Sequence, residues 1–190
     1  RILTREKAEQ NLRQLENDCP ADAGARESLK EKIEHARRGL IMSRYYEEAA
    51  LLAEKLGRHE AMEASLRKLI RLKPEHAHAY NALGYSFAER NQRLEEAEQL
   101  VLKALQLSPD DPFIIDSMGW VLYRKGDNQG ALTHLQRAFS IRPDPEIAAH
   151  LGEVLWALGR RDEAKRIWQE AAKAHPGNEV LAEVIKRFAP

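Results

Sequence analysis

The residue types in this 190-residue sequence that could do chemistry are seven histidines, one cysteine and a set of aromatic residues interleaved with charge. Imidazoles beside carboxylates would suit a metal or an acid–base pair, but here they are scattered. His76 and His78 lie two apart, which puts them about 200 degrees from each other around a helix and unable to share a metal easily. His59, His134 and His150 are expected at the surface or partly packed. Cys19 stands alone, so no internal disulfide forms, and only mixed charge surrounds it. No glycine-rich phosphate loop, HExxH pair or serine elbow occurs. The expectation is no catalytic residue, no metal, no cofactor and no enzyme. What remains is a group of aromatic residues, Tyr85, Trp120, Tyr123 and Trp156, with Asp116, Arg124 and Glu153 close in sequence. Rigid aromatics with a polar handle are common anchors of protein interfaces.

Charge excludes whole classes of partner. Thirty basic and thirty acidic residues cancel, leaving no excess to attract nucleic acid or a membrane surface. No apolar run approaches the roughly 20 residues that cross a bilayer, and no signal-peptide pattern opens the chain. A soluble piece is expected, with membrane attachment only through an anchor outside this chain. The start at Arg1 rather than methionine is that expected of a fragment or a processed form.

The elements that must position the aromatic residues are written as a repeat. Tyr80-Asn-Ala-Leu83-Gly84-Tyr-Ser-Phe87 returns as Ile115-Asp-Ser-Met118-Gly119-Trp-Val-Leu122 and as Ala148-Ala-His-Leu151-Gly152-Glu-Val-Leu155. Each copy runs on to an alanine, an apolar residue, a second alanine and a proline: Ala97, Val101, Ala104 and Pro109; Ala131, Leu135, Ala138 and Pro143; Ala164, Trp168, Ala171 and Pro176. The glycines are 35 and 33 residues apart, a period that belongs to stacked helix pairs. Glycine inside a helix costs up to about 1 kcal/mol against alanine, so close approach of a neighbouring backbone must offset it. Gly57, Gly126 and Gly159 fall at the turn within each pair, and Asn91 takes that place in the longer copy. Asp111-Pro112 and Asp144-Pro145 mark helix starts.

The units expected are 43–76, a degenerate copy in which Met62 and Leu69 replace small residues and whose second helix packs less closely; then 77–111, 112–144 and 145–177; and a capping helix over 178–190. Before them, 1–42 reads as partial or irregular repeat helices. Ala8, Leu12 and Leu15 recur at helical spacing before Pro20, and Leu29, Ile33, Ala36 and Leu40 form a second stripe. Pro20 and Pro74 are 54 residues apart, one period plus 20. One long helix, an added helix or missing residues would each account for that.

These residues are identified as a member's signature of the tetratricopeptide repeat family, strongly over 43–190 and weakly over 4–20. The resemblance implies an all-α, right-handed superhelical solenoid of antiparallel helix pairs with a carboxy-terminal cap. It also implies a concave groove lined by the first helix of each pair, and a scaffold or adaptor that binds another protein or a peptide rather than a small molecule. A narrower resemblance links His78-Ala-Tyr-Asn-Ala-Leu-Gly-Tyr85, Asp110-Asp-Pro-Phe-Ile-Ile-Asp-Ser-Met-Gly-Trp120 and Pro145-Glu-Ile-Ala-Ala-His-Leu-Gly-Glu-Val-Leu-Trp156 to the carboxy-terminal repeats of Gram-negative envelope adaptor lipoproteins. Some of those bring cell-wall hydrolases to a carboxyl-terminal processing protease, which favours a periplasmic or outer-membrane-attached setting over the cytoplasm.

By helical period and family likeness the groove is lined by Asn81, Tyr85 and Ala88, by Asp116, Trp120 and Tyr123 with Arg124, and by Ala149, Glu153 and Trp156. The degenerate copy adds Glu47, Leu51 and Glu54. Trp120 is assigned to the groove because Gly119 and Leu122 take the packing places, and its removal is expected to weaken binding without harming the fold. Tyr123 and Trp156 stay open between groove and packing, Trp168 is core, and Phe113 is a rim contact. The family's clamp for terminal carboxylates needs cationic residues, and Glu47, Asp116 and Glu153 oppose such a ligand. Two other readings stand beside the scaffold: the repeat region of a larger enzyme, or a subunit that self-assembles into a homo-oligomer.

Overall fold

Several helix starts in this protein are set by side chains that satisfy the orphan N–H groups of a first turn. Asp111 accepts from the N–H groups of Phe113 and Ile114 at 2.9 and 3.3 Å, and Asp144 accepts from Glu146 at 3.0 Å. Asp127 does the same for Gly130 at 2.9 Å and Asn178 for Leu181 at 3.0 Å. The computed structural model describes residues 23–188, all of whose regular elements are helices. They are α1 (Ala23–Lys55), α2 (His59–Leu72), α3 (Ala77–Glu89), α4 (Leu94–Leu107), α5 (Pro112–Arg124), α6 (Asn128–Ile141), α7 (Pro145–Ala157), α8 (Arg161–Ala174) and α9 (Glu179–Phe188). The readings of 4–20 and of Cys19 lie outside the described residues.

Between Pro20 and Pro74 the three alternatives resolve to one long helix, since α1 runs unbroken for 33 residues. Its second half is the first helix of a pair with α2, while Ala36 and Leu40 of its first half are exposed. Further along the same helix Ile41, Tyr45 and Leu52 also face outward, as does Leu56 in the turn that follows it.

Short turns force the helices to pair antiparallel: α1 with α2, α3 with α4, α5 with α6, and α7 with α8. The first helices α3, α5 and α7 contact one another in sequence and form one layer. Each turn needs a left-handed residue. Gly57, Gly126 and Gly159 supply it, and in the long copy Asn91 and Arg93 adopt φ of 52° and 47°. Arg93 takes that conformation with its guanidinium 4.0 Å from the Phe87 ring centroid and its terminal nitrogens on Glu63. Its aromatic and ionic partners supply interactions that offset the backbone cost.

The second-helix residues written as alanine, apolar, alanine are buried: Ala97, Val101, Ala104, Ala131, Leu135, Ala138, Ala164 and Trp168 have no exposed surface. In the degenerate copy Met62, Leu66 and Leu69 are buried too, yet a hollow of about 140 Å³ lies among them, α1 and α3. At the other end α9 covers the last pair with Leu181 and Val184. Phe188 stands 5.7 Å from the Trp168 ring and 5.8 Å from Trp156.

The tightest approach is at Gly152, where an added Cβ would lie 2.0 Å from Trp168 Nε1 and 2.2 Å from its Cε2. Trp168 has no room to yield, being fully buried and donating to the Ala149 carbonyl at 3.3 Å. Gly152→Ala is therefore expected to destabilise the chain by about 1–3 kcal/mol despite its better helix propensity, read as a lower urea midpoint. A Gly126→Ala control meets no atom within 4 Å and pays only for its φ of 91°. Removing 178–190 uncovers Trp156 and Trp168 and is expected to cost about 3 kcal/mol or more, seen as a lower melting temperature or as aggregation.

Candidate functional site

Successive first helices bring equivalent residues to one concave face. Tyr85 on α3, Trp120 on α5, and Ala149 and Glu153 on α7 line a cavity of about 580 Å³. Arg124 joins them, and Val184 and Arg187 of α9 form one wall. At its floor sits a side-chain cluster that the chain's separate motifs do not announce. His150 is 9% exposed, and its Nδ1 lies 3.0 Å from both carboxylate oxygens of buried Asp116. The imidazole stacks on Trp120 with ring centroids 4.2 Å apart, and the Tyr85 hydroxyl is 3.4 Å from its Nε2. The expectation of a surface or partly packed His150 is overturned, because an ion-pair partner on the neighbouring helix makes its burial affordable.

The other groove candidates divide. Asp116 lies beneath the cavity, where it holds the imidazole. Trp120 is only 5% exposed and packed between His150, Tyr123 at 5.2 Å and the Arg124 guanidinium at 5.7 Å. Truncating it would leave a large void and cost about 3–5 kcal/mol, so the expectation of an intact fold in Trp120→Ala is corrected. Ala88 is fully buried rather than groove-lining, and Asn81 is half-buried with its Oδ1 lacking a partner among the described residues. Tyr123 and Trp156 do not line the cavity. Tyr123 supports Trp120, and Trp156 packs on Trp168 at 5.9 Å and under Phe188. Glu54 reaches the cavity, whereas Glu47 and Leu51 line the hollow by α2. Phe113 is half-exposed with the Arg142 guanidinium 5.0 Å from its ring.

Electrostatics follow from this packing. Burial alone pulls the His150 pKa down, but Asp116, by charge and hydrogen bond, with Glu89 and Glu153 behind it, outweighs that and leaves it raised. Burial raises Glu153, opposed by Arg187 and His150. Burial also pushes the Tyr85 phenol up, with Glu89 and Asp116 adding to it. The imidazole thus holds its proton to higher pH than an ordinary histidine, chiefly through Asp116. Ser117, next in sequence to Asp116, donates to the Phe113 carbonyl at 2.9 Å and so is directed away from the imidazole. Among the described residues no group of three or more metal-ligating side chains forms.

Profiles described as tetratricopeptide repeat match residues 47–112 and 122–186, together more than half of the chain. The chain belongs to the tetratricopeptide repeat family. A TPR repeat-containing protein of Pseudomonas aeruginosa is 50% identical over 104 residues, which is 55% of this chain and 18% of that protein. The chain therefore spans less than a fifth of the length of that relative. Among solved structures, a thermophilic TPR protein of Thermus thermophilus superposes with a TM-score of 0.65 at 21% identity, over 95% of this chain and 97% of that one. An O-GlcNAc transferase of Thermobaculum terrenum gives 0.66 at 22% identity, over 73% of this chain and 27% of that one. YrrB, a TPR protein with an unusual peptide-binding site, gives 0.55 at 24% identity over 75% of each chain. At these identities the likeness is one of fold, a tetratricopeptide solenoid.

The signal for His150 was present in the repeat but offset. The residue equivalent to Asp116 one period on is Ala149, and the stagger between adjacent first helices moves the contact to its neighbour. Because the folded imidazole binds its proton more tightly than the free side chain, its contribution to tetratricopeptide stability is complete below about pH 6.5 and lost as pH rises through its raised folded pKa. The urea midpoint is expected to fall over that window, and His150→Gln to flatten the slope. Glu153 acts in the same direction but from its own ordinary value of 4.5 upward.

Proposed function

We propose that this tetratricopeptide array is a protein-interaction scaffold that holds a segment of a partner in the cavity between α3, α5, α7 and α9. The observation that carries the reading is the cavity itself: about 580 Å³, open to solvent, and floored by rigid aromatic rings held from beneath by the Asp116–His150 pair. Anchors already locked by packing lose little side-chain entropy on binding. The peptide-binding site of YrrB, a protein of the same fold, supports a peptide or extended segment as the occupant.

The finer reading rests on the sequence phrases quoted above. In it the scaffold is an adaptor that brings substrates to a carboxyl-terminal processing protease in a Gram-negative envelope, held at the membrane by an anchor outside this chain. No described helix is long and apolar enough to cross a membrane. A second reading has one observation in its favour: the O-GlcNAc transferase matches this chain over only 27% of its own length. Repeats of this kind then serve as one region of a larger enzyme.

The test is capture of partners from cells that express the protein, with Arg124→Ala beside the parent chain. Arg124 lines the cavity and lies over Trp120, and its loss is expected to change retention of the specific partner by about 1 kcal/mol or more, upward for a cationic segment and downward for an acidic one. Lys103→Glu, exposed on α4, is expected to retain it. Equal retention by all three proteins would overturn the groove assignment.

A further inference from the structure

The groove is far more acidic than the chain that builds it. The whole chain carries thirty basic and thirty acidic residues, yet five glutamates, Glu54, Glu89, Glu146, Glu153 and Glu183, surround the cavity. Facing them are two arginines, which leaves three negative charges in surplus, since His150 is matched by Asp116. The glutamates come from α1, α3, α7 and α9, so the accumulation is made by folding rather than by a run of sequence. Low-dielectric walls focus such a field into the concavity.

Two further observations indicate what is drawn in. Arg187 reaches from α9 to the Glu153 carboxylate, so the chain already places one guanidinium of its own in this field. Glu54, Glu89, Glu146 and Glu183 form no ion pair among the described residues. The indole N–H of Trp120, a wall residue 5% exposed, also finds no acceptor among the described residues. A buried donor left without a partner costs about 1–3 kcal/mol until one arrives. Carboxylates without cations and a donor without an acceptor are both satisfied by a peptide, whose backbone brings carbonyls and whose side chains bring positive charge.

Resting on the groove reading above, we infer that the occupant is a cationic polypeptide segment whose lysine or arginine side chains lie among Glu89, Glu146 and Glu153 and whose backbone carbonyls face Trp120. An anionic segment, a nucleic-acid strand or an acidic lipid surface meets repulsion on the same face. Lysine and arginine differ in how they use it. The planar guanidinium can share two carboxylate oxygens, whereas an ammonium acts as a point charge.

The experiment titrates the intact chain with three short labelled peptides of one design, carrying lysine, glutamine or glutamate at the same positions. The lysine peptide is expected to bind at least about tenfold more tightly than the glutamate peptide, with affinity falling as salt is raised. In Glu89→Lys with Glu146→Lys, two exposed positions without ion pairs among the described residues, the order of the two charged peptides is expected to invert while the helical circular-dichroism signal at the assay temperature holds. Preference for the glutamine or glutamate peptide, or an unchanged order in the double variant, overturns the cationic assignment and leaves the groove reading standing. Binding of none of the three to the parent chain also overturns it, and the groove reading then stands or falls on the capture experiment with Arg124→Ala.

Discussion

The close approach of first and second helices at Gly84, Gly119 and Gly152 is the constraint on which the rest depends. A Cβ at Gly84 would lie 2.8 Å from the Ala97 carbonyl oxygen, and at Gly152 it would lie 2.0 Å from Trp168 Nε1. Because the pair closes so tightly there, the residue one position further along each first helix, Tyr85, Trp120 or Glu153, is turned toward the layer's concave side. The groove is thus a by-product of the packing, and its chemistry is decided wherever the copies differ.

That division explains what could be read from the sequence. The period, the caps at Asp111 and Asp144 and the left-handed turn at Asn91 depend on neighbours in the chain or on a fixed spacing, and all were legible. Trp156 was left open between two roles because its partners, Trp168 and Phe188, lie on two later helices. His150 was misjudged for a related reason. A histidine is unremarkable alone, and its partner Asp116 is 34 residues away, one more than the period that separates those copies. The residues of the long α1 helix were ambiguous because proline spacing counts residues and says nothing about whether a helix continues through them.

Acidity and aromaticity in the groove answer to different needs. The stacked rings of Trp120 and His150 give it a shape that does not depend on a ligand. The His150 imidazole lies against the cavity with Asp116 paired to it from below, so its protonation leaves the pair without net charge. On the proposed groove reading, selection by charge falls to the exposed glutamates, where substitutions disturb the packing beneath them little.

The cap has a consequence beyond covering the last pair. Val180, Glu183, Val184 and Arg187 of α9 belong to the groove wall, while Leu181 and Val184 are buried against the preceding helices. On the groove reading proposed above, fraying of the carboxyl end and emptying of the groove are coupled equilibria. A segment that needs the wall intact binds only the closed form, and by mass action each bound molecule holds the terminal helix in place. On that reading, occupancy of the groove sets how long the carboxyl end stays folded.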